Sequence, residues 1–171
     1  MDTSRQQEGS IEGGHSARYV HSAPADHLIS VEDQARARIG ISPFDAFYTL
    51  MFTDMDQGTI RAEVNVDQRH AQITGVVHGG IYAAIAESMA SFGTNWAVSP
   101  GRQVGMGLSN STNFLRPTPV PVTLVATGTA LHTGRRTWVW DIDIRAKGAA
   151  KPSAVSRMVI AVVPDPGAGE P

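Results

Sequence analysis

From Thr59 to Val66 the chain alternates. Ile60, Ala62, Val64 and Val66 interleave with Thr59, Arg61, Glu63 and Asn65. A period of two predicts a half-buried strand. Asp56-Gln57-Gly58 just before it reads as a turn, with a partner strand ahead of the turn. Ser42-Pro43 reads as a helix cap followed by proline at the first helical position, so FDAFY is expected to form a short helical turn. At Gly79 the period changes. Tyr82, Ile85, Met89, Phe92 and Trp96 recur at steps of three and four, and Ala83, Ala84, Ala86 and Ala90 fill much of the rest. This predicts a helix over about 79–97, ended by Pro100-Gly101. So many small residues let neighbours approach from nearly every side, so burial all round is expected, inside a wrapping sheet. Four more strands are predicted: 106–117, extended but polar in its middle, then 122–131, 137–147 and 153–163, the last closing the sheet. Turns fall at Thr118-Pro119, His132-Thr133-Gly134 and Gly148 to Pro152. Strand-strand-helix followed by four strands argues for an α+β fold, an antiparallel sheet around one long central helix. The order is not βαβ, and the glycines do not match a phosphate loop.

The pattern also divides the chain. Residues 1–40 are polar, show no sustained period and read as a flexible lead-in, with one short helix over VEDQARAR. Its His15, His21 and His27 sit six apart, which fits neither a helix face nor a metal-ligand motif; they read as a solvated tail and no metal site is expected. Residues 41–164 form the folded domain, and 165–171, rich in Pro and Gly, a frayed tail. At 171 residues, 42% hydrophobic and 18% charged, the composition is that of one globular domain. A net charge of −2 gives no footprint for nucleic acid or an anionic membrane. There is no cysteine, which excludes disulfides, thiolate nucleophiles and zinc–thiolate sites. No run is long enough to span a membrane, and the start lacks the apolar stretch of a secretory leader, so the expectation is a cytoplasmic protein.

Candidate chemistry concentrates in the predicted helix. Glu87 is the only charged residue between Gly79 and Gly101. An ionised carboxylate buried without a partner costs several kcal/mol. Either Glu87 leaves the helix at a solvent-facing slot, or it is a base or nucleophile held in a partly apolar pocket. Ser91, one turn later on the same face, is placed to hold that carboxylate or a water beside it. His78-Gly79-Gly80 opens the helix. The N–H groups of Gly79 and Gly80 are among the four without an intrahelical partner, at the positive end of the dipole, and glycine allows close approach. They suit an oxyanion hole; the plainer reading is a helix start chosen for packing. Gly79 and Glu87 are eight residues apart, about 12 Å along a helix axis. Both can serve one reacting carbon only if they come from different chains, which predicts a site between two subunits.

These residues resemble a known family. VHGGIYAAIAE in the helix is similar to the hotdog-fold acyl-CoA thioesterases. SNSTNFLRP, TWVWDIDIR and SAVSRMVIAVV resemble more closely the 4-hydroxybenzoyl-CoA thioesterases of the helical-glutamate type. The resemblance runs from about residue 43 to 164. It implies hydrolysis of an acyl-CoA thioester with an aromatic acyl group, and assembly into a homodimer at least, with a homotetramer as a dimer of dimers. It implies that Glu87 attacks the thioester or activates water, that the Gly79 N–H of the neighbouring chain polarises the carbonyl, and that Gln72 assists there. Ser91 stands where relatives place a threonine, and His78 shapes the helix start. No cofactor is implied, since coenzyme A belongs to the substrate.

Coenzyme A carries phosphates. Arg116 matches the arginine of the F-x-R-P segment. Arg135 and Arg136 stand in a turn where relatives carry small hydroxyl residues, and the acidic, proline-rich end of the chain replaces a basic tail; the two arginines are read as compensating for it. They read equally well as solvated turn residues. Tyr82, Phe92 and Trp96 are candidates to line the acyl pocket, the last two more naturally as core. Thr94 and Asn95 have no assigned place. Two rival functions remain: a hotdog hydratase or dehydratase, which needs a histidine opposite the acid, and a non-catalytic acyl-CoA-binding protein, which does not need Glu87.

Overall fold

The computed structural model describes residues 42–167. The helix read over VEDQARAR, His15, His21 and His27 lie outside the described residues, as do Ile41 and the last four residues of the tail. Ser42 caps the first helix by accepting from the Asp45 N–H at 3.0 Å, and Pro43 opens it as α1, Pro43–Phe47. Then come β1, Leu50–Asp56, and β2, Thr59–Val66, an antiparallel pair. Gly58 turns between them at φ +114°, a conformation that only glycine takes without strain. Ile60, Ala62, Val64 and Val66 are buried, as the alternation requires.

The long helix, α2, spans Gly79–Val98. A 3-10 turn over Ser99–Gly101 ends it, and Arg102 leaves with φ 56°. Four strands follow: β3, Gln103–Phe114, β4, Val122–Thr133, β5, Thr137–Ala146, and β6, Ala154–Pro164. All pairings are antiparallel, in the order β1-β2-β4-β5-β6-β3. The expectation that the last strand closes the sheet is therefore corrected. β6 is interior, inserted between β5 and β3, and β3 forms the edge.

The sheet curls over α2. Ile85, Met89 and Phe92 meet Ile60, Leu124, Ile142, Ile144 and Ile160 in one buried cluster. Trp140 lies at its centre, fully buried, with its indole N–H donating to Thr94 Oγ1 at 2.9 Å. Gly93 admits that ring: a Cβ there would lie 2.8 Å from Trp140 Cη2. Trp96, the last residue of the expected stripe, is only partly buried. Burial all round is also corrected. Ala83, Ala84, Glu87, Ser88 and Ser91 are only half-buried, so α2 is not enclosed on every side. No helix among the described residues is long and apolar enough to cross a membrane.

Candidate active site

The chain enters α2 through a small hairpin. The Gln72 N–H donates to Val76 O and the Gly75 N–H to Gln72 O, both at 2.9 Å, and Gly75 takes φ 78° to close the turn. The His78 N–H returns to His70 O at 2.8 Å. His70 is buried, with Nδ1 accepting from the Asp67 N–H at 3.0 Å; Nε2 therefore carries the proton and donates to Phe47 O at 3.2 Å. This anchors the hairpin beneath α1. Gln72 itself is exposed, on the turn that leads into Gly79.

The helix start then selects between the two glycines. His78 Nδ1 accepts from the Gly80 N–H at 2.9 Å, and His78 O accepts from the Ile81 N–H. The Gly79 N–H has no acceptor among the described residues. It is the free donor at the positive end of α2. The Phe114 ring lies across Gly79, so close that a Cβ would sit 2.9 Å from Cζ.

Two turns along, the half-buried Glu87 projects toward the edge strand. Its Oε2 accepts from Asn110 Nδ2 at 3.2 Å, and the same NH2 group donates to Ala83 O at 3.0 Å. Its Oε1 lies over Gly107, where a Cβ would overlap it. A bulge makes this possible. The β3–β6 register shifts between Gly107, opposite Ile160, and Ser109, opposite Val159. Before the shift the odd-numbered Gly105 and Gly107 face the helix; after it Asn110, Thr112 and Phe114 do. Bulges commonly re-aim side chains in this way. Ser91 is half-buried one turn after Glu87 and makes no hydrogen bond to it among the described residues.

Ser88, directly after Glu87 in the helix, belongs to a cluster that neither spacing nor composition marks. Ser88 and Tyr48 both donate to Asp45 Oδ1, and Ser42 donates to Oδ2 at 2.8 Å. Burial raises the Asp45 pKa, but the three hydroxyls outweigh it and hold the carboxyl below its ordinary range. Burial, and then the bond to Asp45, push the Tyr48 phenol above its own. The cluster clamps α1 onto α2 beside Glu87. Tyr82, between Gly79 and Glu87, is buried with its hydroxyl unpartnered among the described residues.

The three arginines fall into two places. Arg116 follows β3 at the Gly79 end and donates through Nη1 to Pro152 O at 2.6 Å. Arg135 and Arg136 lie exposed in the β4–β5 turn. On β6, Ala154 pairs with Phe114 and Ala161 with Thr137, so the two places are about 23 Å apart along the strands. One chain does not bring all three to one phosphate. On the face away from α2, a groove of about 710 Å³ is lined by the Asp141–Arg157 and Asp143–Arg145 pairs and by Thr127 and Thr129. It contains none of the candidate site residues above. No cluster of three or more metal-ligating side chains occurs among the described residues.

An antiparallel sheet of six strands curled over one long helix is the hotdog architecture, and the chain's relatives place it in the class of thioester hydrolases. A family model described as the thioesterase superfamily matches residues 74–153. A provisionally named esterase of Mycobacterium tuberculosis, Rv1847, is 38% identical over 104 residues, covering 60% of this chain and 74% of that protein. A 1,4-dihydroxy-2-naphthoyl-CoA hydrolase of Listeria monocytogenes is 31% identical over 108 residues, covering 63% of this chain and 85% of that one. Among solved structures, a glutamine-to-alanine mutant of the Pseudomonas aeruginosa thioesterase PA1618 superposes with a TM-score of 0.69 at 28% identity, covering 82% of this chain and 96% of that one. The chain belongs to the thioesterase superfamily.

Proposed function

We propose that this chain hydrolyses an aromatic acyl-CoA, of which 4-hydroxybenzoyl-CoA is the type, in a site shared by two copies. The observation that carries this is the separation of one free helix-start N–H, at Gly79, from one carboxylate, at Glu87, along the side of α2 that faces the edge strand β3. The edge beside them, β3, exposes Met106 by 57%, Leu108 by 63% and Phe114 by 60%. A long edge strand with apolar side chains calls for cover. A second copy along β3 covers it and brings one chain's Gly79 toward the other's Glu87. Pairing of two such dimers gives the homotetramer.

In this reading the thioester carbonyl oxygen accepts from the Gly79 N–H as negative charge develops on it. Glu87 works through Oε1. Either it adds to the carbonyl carbon, expelling the CoA thiolate and leaving a mixed anhydride that water cleaves, or it takes a proton from water as that water adds. Both routes end in the carboxylic acid and free CoA thiol. Gln72 sits on the turn before Gly79, suited to a second contact at the carbonyl, and Ser91 is suited to hold the water. His78 acts by capping: its Nδ1 is engaged with the Gly80 N–H, which weighs against the hydratase reading that needs it as a proton carrier. The aromatic assignment draws support from the relative named a naphthoyl-CoA hydrolase and from Tyr82, whose unpartnered hydroxyl suits a polar substituent on the acyl ring.

The test is a panel of aromatic and aliphatic acyl-CoAs, followed by thiol release, on protein whose mass in solution is measured by sedimentation. The expected result is faster turnover of aromatic acyl groups by a dimer or tetramer. Failure on every thioester overturns the function, and a fully active monomer overturns the shared site.

Arg135 and Arg136 are proposed to grip the CoA phosphates, with Arg116 of another chain at the far end of the ligand. Exposed charge pairs contribute about 1 kcal/mol or less each. Replacing both turn arginines with Ala is expected to raise KM roughly fivefold to tenfold with kcat little changed. Steady-state kinetics check this, and an unchanged KM removes both residues from the binding site.

A further inference from the structure

We propose that Asn110 is a positioning residue for Glu87, fixing which carboxylate oxygen does the chemistry. The inference rests on the reading of Glu87 as the acting acid and adds to it a residue outside the HGG-and-glutamate pattern. Asn110 Nδ2 lies 3.0 Å from Ala83 O and 3.2 Å from Glu87 Oε2. Its Oδ1 accepts from Thr112 Oγ1 at 2.7 Å, and Thr112 Oγ1 lies 2.7 Å from Ser156 Oγ. The proton order follows from this arrangement. Ala83 O and the Glu87 carboxylate are acceptors only, so the amide must present NH2 to them. Thr112 has one proton and gives it to Asn110, so Ser156 donates to Thr112. Ser156 is buried and anchors the relay in the core. Ser156, Thr112 and Asn110 thus form a one-way chain of donors that ends on Oε2.

Two consequences follow for the carboxylate. Oε2 is occupied, and Oε1, over the bare backbone of Gly107, is left for the thioester or water. Asn110 is also a donor to the charged form, in a setting with few others. Neither α2 nor β3 carries another charged residue. From α1, Asp45 is tied to Ser88. From β6, Arg157 is tied to Asp141. The core-facing residues of β2, β4 and β5 against α2 are apolar. Asn110 is therefore the one side chain among the described residues that hydrogen-bonds the carboxylate.

Three variants of the full chain test this: Asn110→Ala, Asn110→Asp and Thr112→Val. Each is assayed for kcat and KM across pH on a thioester the parent protein hydrolyses, beside Glu87→Gln, with thermal melting to confirm folding. Asn110→Ala is expected to lower kcat roughly tenfold to a hundredfold, the worth of one hydrogen bond to a charged group, with KM within about twofold. Asn110→Asp sets a second carboxylate beside the first, so the acid limb of the pH profile should move to higher pH. An unmoved acid limb in a folded Asn110→Asp protein would mean that the acting group does not stand beside residue 110, which overturns the positioning role. Thr112→Val keeps the shape but frees the amide to turn, and is expected to give a smaller fall of roughly threefold. If Asn110→Ala and Thr112→Val keep kcat within twofold while Glu87→Gln is inactive, the positioning role is overturned and the reading of Glu87 stands. If Glu87→Gln is active, both fall. Thr112 is part-buried and its substitution nearly isosteric, so that arm decides the matter should Asn110→Ala fail to fold.

Discussion

Glu87→Gln is expected to abolish most thioester hydrolysis, lowering kcat by about 10²–10⁴-fold, the usual worth of a general base. A nucleophilic carboxylate would cost at least as much to lose. The substitution is a sharp probe because the side-chain geometry survives it. A glutamine carbonyl oxygen still accepts from Asn110 Nδ2, and the amide occupies the same slot over Gly107. Only the charge and basicity are removed. Binding of a non-hydrolysable acyl-CoA analogue, followed by calorimetry, should change little. Retention of activity within tenfold of the parent would remove Glu87 from the reaction.

Trp140→Ala is expected to be the most damaging change to stability, at about 3–5 kcal/mol. Trp140 is fully buried, lies beside Trp138 with ring centroids 5.9 Å apart, and meets α2 at Gly93, where no side chain intervenes. Its removal leaves a cavity under the helix and strands the Thr94 hydroxyl without its indole donor. A domain of this size is held by about 5–15 kcal/mol in total, so the loss takes a large share and should lower Tm by about 10 °C or more. Urea unfolding gives the free energy directly. A loss under about 1 kcal/mol would mean that α2 can settle into the vacated space.

Much of the fold was written in periodicity. The β2 alternation and the stripe of α2 both rest on burial of one face, which leaves a regular trace in sequence. The order of strands was less legible. Nothing local distinguishes an interior last strand from an edge one, because pairing is decided by the whole sheet. The half-buried side of α2 left no trace because Ala83, Ala84, Ser88 and Ser91 are small, and small residues suit close packing and partial exposure equally. At the candidate site, Glu87 and the glycines stood out by isolation in their segment. Which glycine keeps a free N–H depended on the rotamer of His78, and rotamers leave no trace in spacing. Asn110 lay hidden in a strand polar on both faces, where a change of register alters no pattern. Arg116, Arg135 and Arg136 were grouped by charge, whereas the β3–β6 and β5–β6 pairings separate them.

The bulge at Leu108 makes this part of the site tolerant of a change in chain length. Leu108 is the one residue of β3 without a partner on β6, between Gly107 opposite Ile160 and Ser109 opposite Val159. Deleting it restores regular alternation and leaves Asn110 facing Glu87 and Phe114 facing Gly79, because the pairings beyond it already run in step with β6. In descent, one codon can be gained or lost here without turning the site's side chains away from the helix. Relatives that differ by one residue at this point are expected to carry the same face on either side of the gap.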